Sequence, residues 1–276
     1  MAILAVSTAG TLVRLAPGSS PLGLAAWRLG IASVVLLPWL RPLGRRELWW
    51  TLGGSLLLAL HFWSWFTSLG LTSVMRSTLL VCLTPIWAGV LEGFLLKKAP
   101  APRFWVGIAV ALCGVVAMVG MPGEGGVLGD ALALLGGLLG AAYFTAGRVV
   151  RATVPIGSYA ALSCLATTGW LVLLALGSGE SLALGVDARW AALGLALGPQ
   201  LLGHVGFNYA VGRLPAAIVA GVILLEPVGA TAVAALVLRE WPTAGEVAGG
   251  TVTMIGVGIA AWPGRVRFRS APVPSA

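Results

Sequence analysis

Charged side chains are scarce in this sequence: 17 Lys and Arg plus 9 Asp and Glu make up 9% of 276 residues. A soluble domain carries about a quarter, so an ordinary water-exposed surface is excluded. Cysteine is nearly missing as well. Cys82, Cys113 and Cys164 stand singly inside apolar runs, with no CxxC and no His spacing. Neither a disulfide framework nor a metal site is expected, and the three read as small core residues. No HExxH and no GxxxxGKS/T occurs, which removes the common zinc-hydrolase and nucleotide-hydrolysis routes. The two aspartates, Asp130 and Asp187, fall in connections between apolar runs, so no intramembrane aspartate pair is available to a protease or prenyltransferase. GVGIAA at 256–261 lies inside the last apolar run rather than after a strand, so it reads as close helix packing, not dinucleotide binding. No cofactor is expected.

What remains is apolar. Hydrophobic residues are 58% of the chain, mean hydropathy is +0.97, and 39 glycines interrupt nearly every run. Small residues are what helices use to pack in lipid, where no hydrophobic drive holds them together. The expected class is an all-α integral membrane protein. Ten runs approach bilayer length, at about 2–16, 22–40, 48–69, 74–96, 103–121, 128–150, 156–176, 190–211, 215–238 and 245–262. The first is short, roughly 22 Å against a core of about 30 Å, which leaves either a tilted crossing or a start a few residues upstream. It lacks a basic n-region, so no cleavable signal peptide is expected. The short loops leave no room for a soluble catalytic domain.

The net charge of +8 follows membrane orientation and does not call for nucleic acid. Alternate connections hold Arg41, Arg45, Arg46, Lys97, Lys98, Arg103, Arg148, Arg151, Arg213, Arg265, Arg267 and Arg269; the others hold Arg189 and Arg239. The positive-inside rule then puts both termini in the cytoplasm of a multi-pass inner-membrane protein.

The chain also repeats itself. A shift of 142 pairs Leu83, Pro85, Ala88, Leu96, Pro100, Gly107, Val110, Gly114 and Val115 with identical residues. A shift of 134 pairs Arg14 with Arg148, Pro21 with Pro155 and Gly23 with Gly157. Each half holds five runs, and because five is odd the second half is inserted the other way up. The expected organisation is therefore ten transmembrane helices as two inverted five-helix repeats, 1–121 and 122–264, followed by a basic tail, 265–276.

Those ten runs, the AAWR ending at Arg28, the stretch HFWSWFTSLGLTSVMRSTLLVCLTPIW from His61 to Trp87, and LLEP followed by Glu240 resemble the drug/metabolite transporter superfamily, specifically the EamA-type exporters. The resemblance spans the whole chain and implies efflux of amino acids or similar metabolites through a central cavity lined by spans three, four, eight and nine. One departure is Lys98, which stands where the family often has an acidic residue in the first half.

Glu226 is the strongest single signal. It precedes Pro227 near the middle of the ninth run, where an ionised group costs about 2.5–3.5 kcal/mol, and intramembrane ionisable groups default to function. It is a substrate ligand and proton-coupling candidate; the competing reading is a structural carboxyl serving the backbone vacancy made by Pro227. Thr84 occupies the equivalent place in the first half, whereas Pro85 and Pro227 are shared and read as hinges. His61 and His204 are separated by 143, one off the repeat, so they are expected to face one another and to share in proton coupling. Gln200, His204 and Asn208 recur every four residues on one side of a helix, facing either a cavity or a neighbouring helix. Trp65, four after His61, and Tyr143 are lining candidates or plain packing residues. Arg28 could clamp a substrate carboxylate or serve a structural pair, while Arg14 and Arg76 read best as snorkelling to the outer headgroups.

The function expected is secondary transport of a small amphipathic metabolite such as an amino acid, by a monomer or weak dimer in the lipid bilayer, with or without protons. Two rivals stay open: an intramembrane lipid-modifying enzyme using His61, His204 and Glu226, for which no nucleophile or metal spacing is present, and a non-catalytic channel or partner subunit.

Overall fold

The structure, a computed structural model, describes residues 1–96, 101–119, 126–211 and 225–262. Lys97, Lys98, Pro100, Arg213, the first part of the ninth run and the basic tail lie outside the described residues, as do the side chains of Pro85 and Glu92. The described chain is helical throughout: α1 (Ala2–Ser7), α2 (Ala9–Arg14), α3 (Pro21–Leu36), α4 (Arg45–Leu69), α5 (Val74–Val81), α6 (Thr84–Leu96), α7 (Pro102–Val119), α8 (Val127–Arg151), α9 (Ile156–Ser178), α10 (Val186–Leu195), a π-segment (Ala196–His204), α11 (Val205–Val211), α12 (Glu226–Val237) and α13 (Ala244–Ala261).

Local chemistry fixes several ends. Ser20 caps α3 by accepting from the Gly23 amide at 2.9 Å with Pro21 in the first turn, and Ser73 caps α5 through the Arg76 amide at 3.2 Å. Thr243 and Glu246 form a reciprocal capping box on α13. Gly179 ends α9 in the left-handed region, φ 72°, which a residue without Cβ enters at no steric cost.

Among the described residues, four segments have the length and composition to cross a membrane: Pro21–Trp39, Val74–Leu91, Val127–Arg151 and Ile156–Ser178. Ala2–Arg14, Pro102–Ala117, Glu226–Val237 and Ala244–Ala260 are apolar but shorter. The first run is not one helix, since it breaks at Thr8 between α1 and α2. Cys82 and Cys164 are buried as expected, but Cys113 is exposed on the outside of α7, so it is not a core residue.

α4 lies along α8 and α9, α3 along α9, α5 and α6 against α8, α1 against the π-segment and α12, and α7 along α13. The α7–α13 seam is built from backbone. A Cβ on Gly107 would meet the Gly256 carbonyl, and one on Gly256 would meet the Gly107 carbonyl; Gly114 meets Thr253 and the Gly249 carbonyl in the same way. Under the shift of 142, Gly107 answers to Gly249, Ala111 to Thr253 and Gly114 to Gly256, so each contact has its reciprocal. That is the pattern of a twofold-related pair.

Candidate functional site

Polar side chains from both halves of the chain meet in the interior. Arg28, from α3, is fully buried; its Nε donates to Gln200 Oε1 of the π-segment at 3.1 Å, and its Cζ lies 4.3 Å from the centroid of the Phe62 ring on α4. Neither Nη1 nor Nη2 has a hydrogen-bond partner. Arg28 is thus held by Gln200 and Phe62, without a salt bridge to an acid among the described residues. Gln200 is itself held by its Nε2, 3.7 Å from the Cys164 sulfur of α9.

Glu226 is the first residue of α12 and half-buried, so its carboxylate sits at the positive end of that helix's dipole. The Cys82 thiol is within hydrogen-bonding reach, and Arg28 acts on it from further off. Pro227 follows as second residue of α12, and Pro85 is second residue of α6, just after the break between α5 and α6. Thr84, in the place equivalent to Glu226, turns its hydroxyl to the Val81 and Gly137 carbonyls at 2.8 and 3.4 Å.

His61 and His204 do not touch directly. Both pack on Phe62, with ring centroids 4.9 and 5.7 Å away. His61 is buried, and its Nδ1 lies 2.7 Å from the Gly136 carbonyl of α8. A carbonyl only accepts, so Nδ1 carries the proton and Nε2 is the free acceptor. Trp65 is buried beside His61 with its indole N–H unpartnered. Tyr143, on α8, is buried, stacks on Tyr159, receives the Ser163 hydroxyl at 3.4 Å, and has Asn208 within hydrogen-bonding reach.

The stripe Gln200, His204, Asn208 faces this interior, but through a π-segment containing Pro199. Its exposure is graded: Gln200 is buried, whereas His204 and Asn208 are half-buried. Phe62, Tyr159 and Ser163 were not singled out in the sequence, and Cys82 and Cys164 were read there only as small core residues. They carry no charge, and an apolar or small residue among apolar ones leaves no signal; only Phe62 adjoins a flagged residue.

One end of the bundle is tied by polar contacts. Arg14 meets Glu240 at 3.0 Å, and Glu240 also accepts the Val74 amide at 2.5 Å. Ser73 donates to Glu246 at 2.7 Å, and Ser20 to the Ser181 carbonyl at 2.7 Å. Arg76 does not snorkel: it is 2% exposed and ion-paired to Asp130, which also accepts from Thr72. Asp130 and Asp187 lie in first helical turns, of α8 and α10, rather than in free loops. At the opposite, arginine-rich end a cleft of about 290 Å³ is lined by Arg46, Glu47, Trp50, Val149, Val150, Ala152 and Thr153. Among the described residues no three His, Cys, Asp or Glu side chains converge as metal ligands.

The residues that supply this interior fall in two stretches, 1–120 and 127–262, and each matches the model of the EamA-like transporter family. The chain belongs to the EamA-like transporter family. As an EamA-like protein it is a multi-pass membrane transporter of the drug/metabolite type. A solved crystal structure of 21% sequence identity shares the fold, with a TM-score of 0.70 over 94% of this chain and 93% of that one. No curated protein matches.

Proposed function

We propose that this EamA-like chain exports a small amphipathic metabolite such as an amino acid across the inner membrane by alternating access. Ten crossings form two inverted halves, 1–121 and 122–264, with both termini and the 265–276 tail in the cytoplasm. The observation that carries this reading is the contact of Arg28 with Gln200: a fully buried cation from one half hydrogen-bonds a buried amide from the other, beside Glu226, His61 and His204. A site shared between halves is what rocking of one half against the other exposes alternately to the two sides. The reciprocal α7–α13 seam and the graded exposure toward Asn208 support the same scheme, with the tied end facing outward.

In that scheme His61, Trp65, Tyr143, Gln200, His204, Asn208, Glu226 and Arg28 line the substrate site. Glu226, with His61 or His204, exchanges protons with it, and Pro85 and Pro227 mark the backbone breaks that bend. Purified protein in liposomes should give saturable counterflow of a labelled substrate found by screening amino acids, nucleosides and quaternary amines. Glu226→Gln should lower proton-driven uptake while sparing counterflow at fixed pH. Unchanged uptake, counterflow and pH profile in Glu226→Gln would remove this residue from the mechanism.

A further inference from the structure

A guanidinium buried without partners on two of its three nitrogens is costly, because each N–H left water without a replacement bond. Arg28 is in that state, with Nη1 and Nη2 unpartnered at 0% exposure. The other buried arginine, Arg76, is fully engaged by Asp130. The difference separates a structural arginine from one that is waiting for a ligand.

The geometry points to Arg28 as the subsite for a single carboxylate of the transported molecule, received end-on by Nη1 and Nη2. This rests on the transport reading above and names the chemistry of its cargo. Gln200 occupies Nε, so the side-on edge of the fork is taken and the end-on edge is left. Phe62 covers one face at 4.3 Å, with Phe66 further off at 5.9 Å, so the ligand comes in along the guanidinium plane. A planar carboxylate matches two parallel N–H donors. A phosphate dianion fits poorly, since among the described residues the nearby ionisable groups are the acid Glu226 and two histidines, with no second arginine or lysine to share the charge. Gln200 is then a positioning residue, and the aromatic flank of Phe62, Phe66 and Trp65 suits an apolar body on the same cargo.

The test uses the full chain in detergent and thermal stabilisation by matched pairs: amino acids and small monocarboxylates of increasing size, each beside its own amide, with nucleosides and quaternary amines included. The expected result is stabilisation by the carboxylates and not by their amides. Arg28→Gln and Arg28→Lys should bind those carboxylates on the order of 10- to 100-fold more weakly, since one lacks the charge and the other the fork. Ligand-free Arg28→Gln should melt no lower than the wild type, because it removes an unpartnered buried charge. If Arg28→Gln is instead unstable, Arg28→Lys decides, and undiminished carboxylate binding by it overturns the subsite. Amides binding as well as acids, or no carboxylate binding at all, overturns it too. Counterflow of whichever compound binds is measured in parallel: a carboxylate that binds but is not exchanged sinks the transport reading and leaves the subsite, whereas counterflow of a nucleoside or amine alone does the reverse.

Discussion

Two buried arginines at different depths have been given different work by their neighbours. Arg76 and Asp130 are 2% and 5% exposed, and the pair ties α5 to α8 with Thr72 as a second donor to the acid. Removing one partner leaves the other charge stranded, which costs about 3–5 kcal/mol, whereas replacing both by apolar residues of similar size is close to neutral. Asp130→Asn should therefore lower the melting temperature sharply in a detergent melt, and Arg76→Met with Asp130→Leu should recover most of the loss. This pair was missed in the sequence reading because outward-lying arginines in a membrane protein have a default explanation in the headgroups, and nothing in the spacing of residues 76 and 130 says that they meet. Glu226, His61, His204 and Gln200 were legible for the opposite reason: a polar group in a long apolar run has few bland explanations. Phe62, which touches both histidines and Arg28, carries no such mark.

Among the elements, α7 and α13 depend on glycine at the crossing. A Cβ on Gly256 would lie 2.6 Å from the Ala111 Cα and 2.7 Å from the Gly107 carbonyl oxygen, and backbone cannot move aside cheaply. Gly256→Ala and its twin Gly114→Ala should each cost on the order of 1–3 kcal/mol by overpacking, whereas Gly258→Ala, with open space around it, should cost nothing. Thermal unfolding of the three variants checks this. The shift of 142 pairs the glycines that meet in this seam, and it pairs Thr84 with Glu226, each the first residue of a helix. The break at Thr8 and the π-segment were not legible. A break needs only one unfavourable turn, and Pro199 was the sole local mark of a changed hydrogen-bond ladder.

For the molecule as a whole, the contacts at the tied end are the ones that the proposed alternating-access scheme has to break. The Arg14–Glu240 pair is partly exposed and contributes at most about 1 kcal/mol, with the Val74 amide adding a similar amount. Together they bias the two end states by at most about thirtyfold. Glu240→Gln should raise the rate at which a membrane-impermeant thiol reagent reaches Cys82 from outside, by a similar factor; no change would mean that other contacts hold this end shut. The shifts that relate the halves carry a last consequence for the same pair. In the sequence Arg14 answers to Arg148 under the shift of 134 and Glu240 to Lys98 under the shift of 142, so an acid-base pair in one arrangement corresponds to two basic residues in the other. In the proposed alternating-access scheme, that inequality would leave the arginine-rich mouth ajar at rest, and the work of opening the other side would have to come from the binding of the cargo.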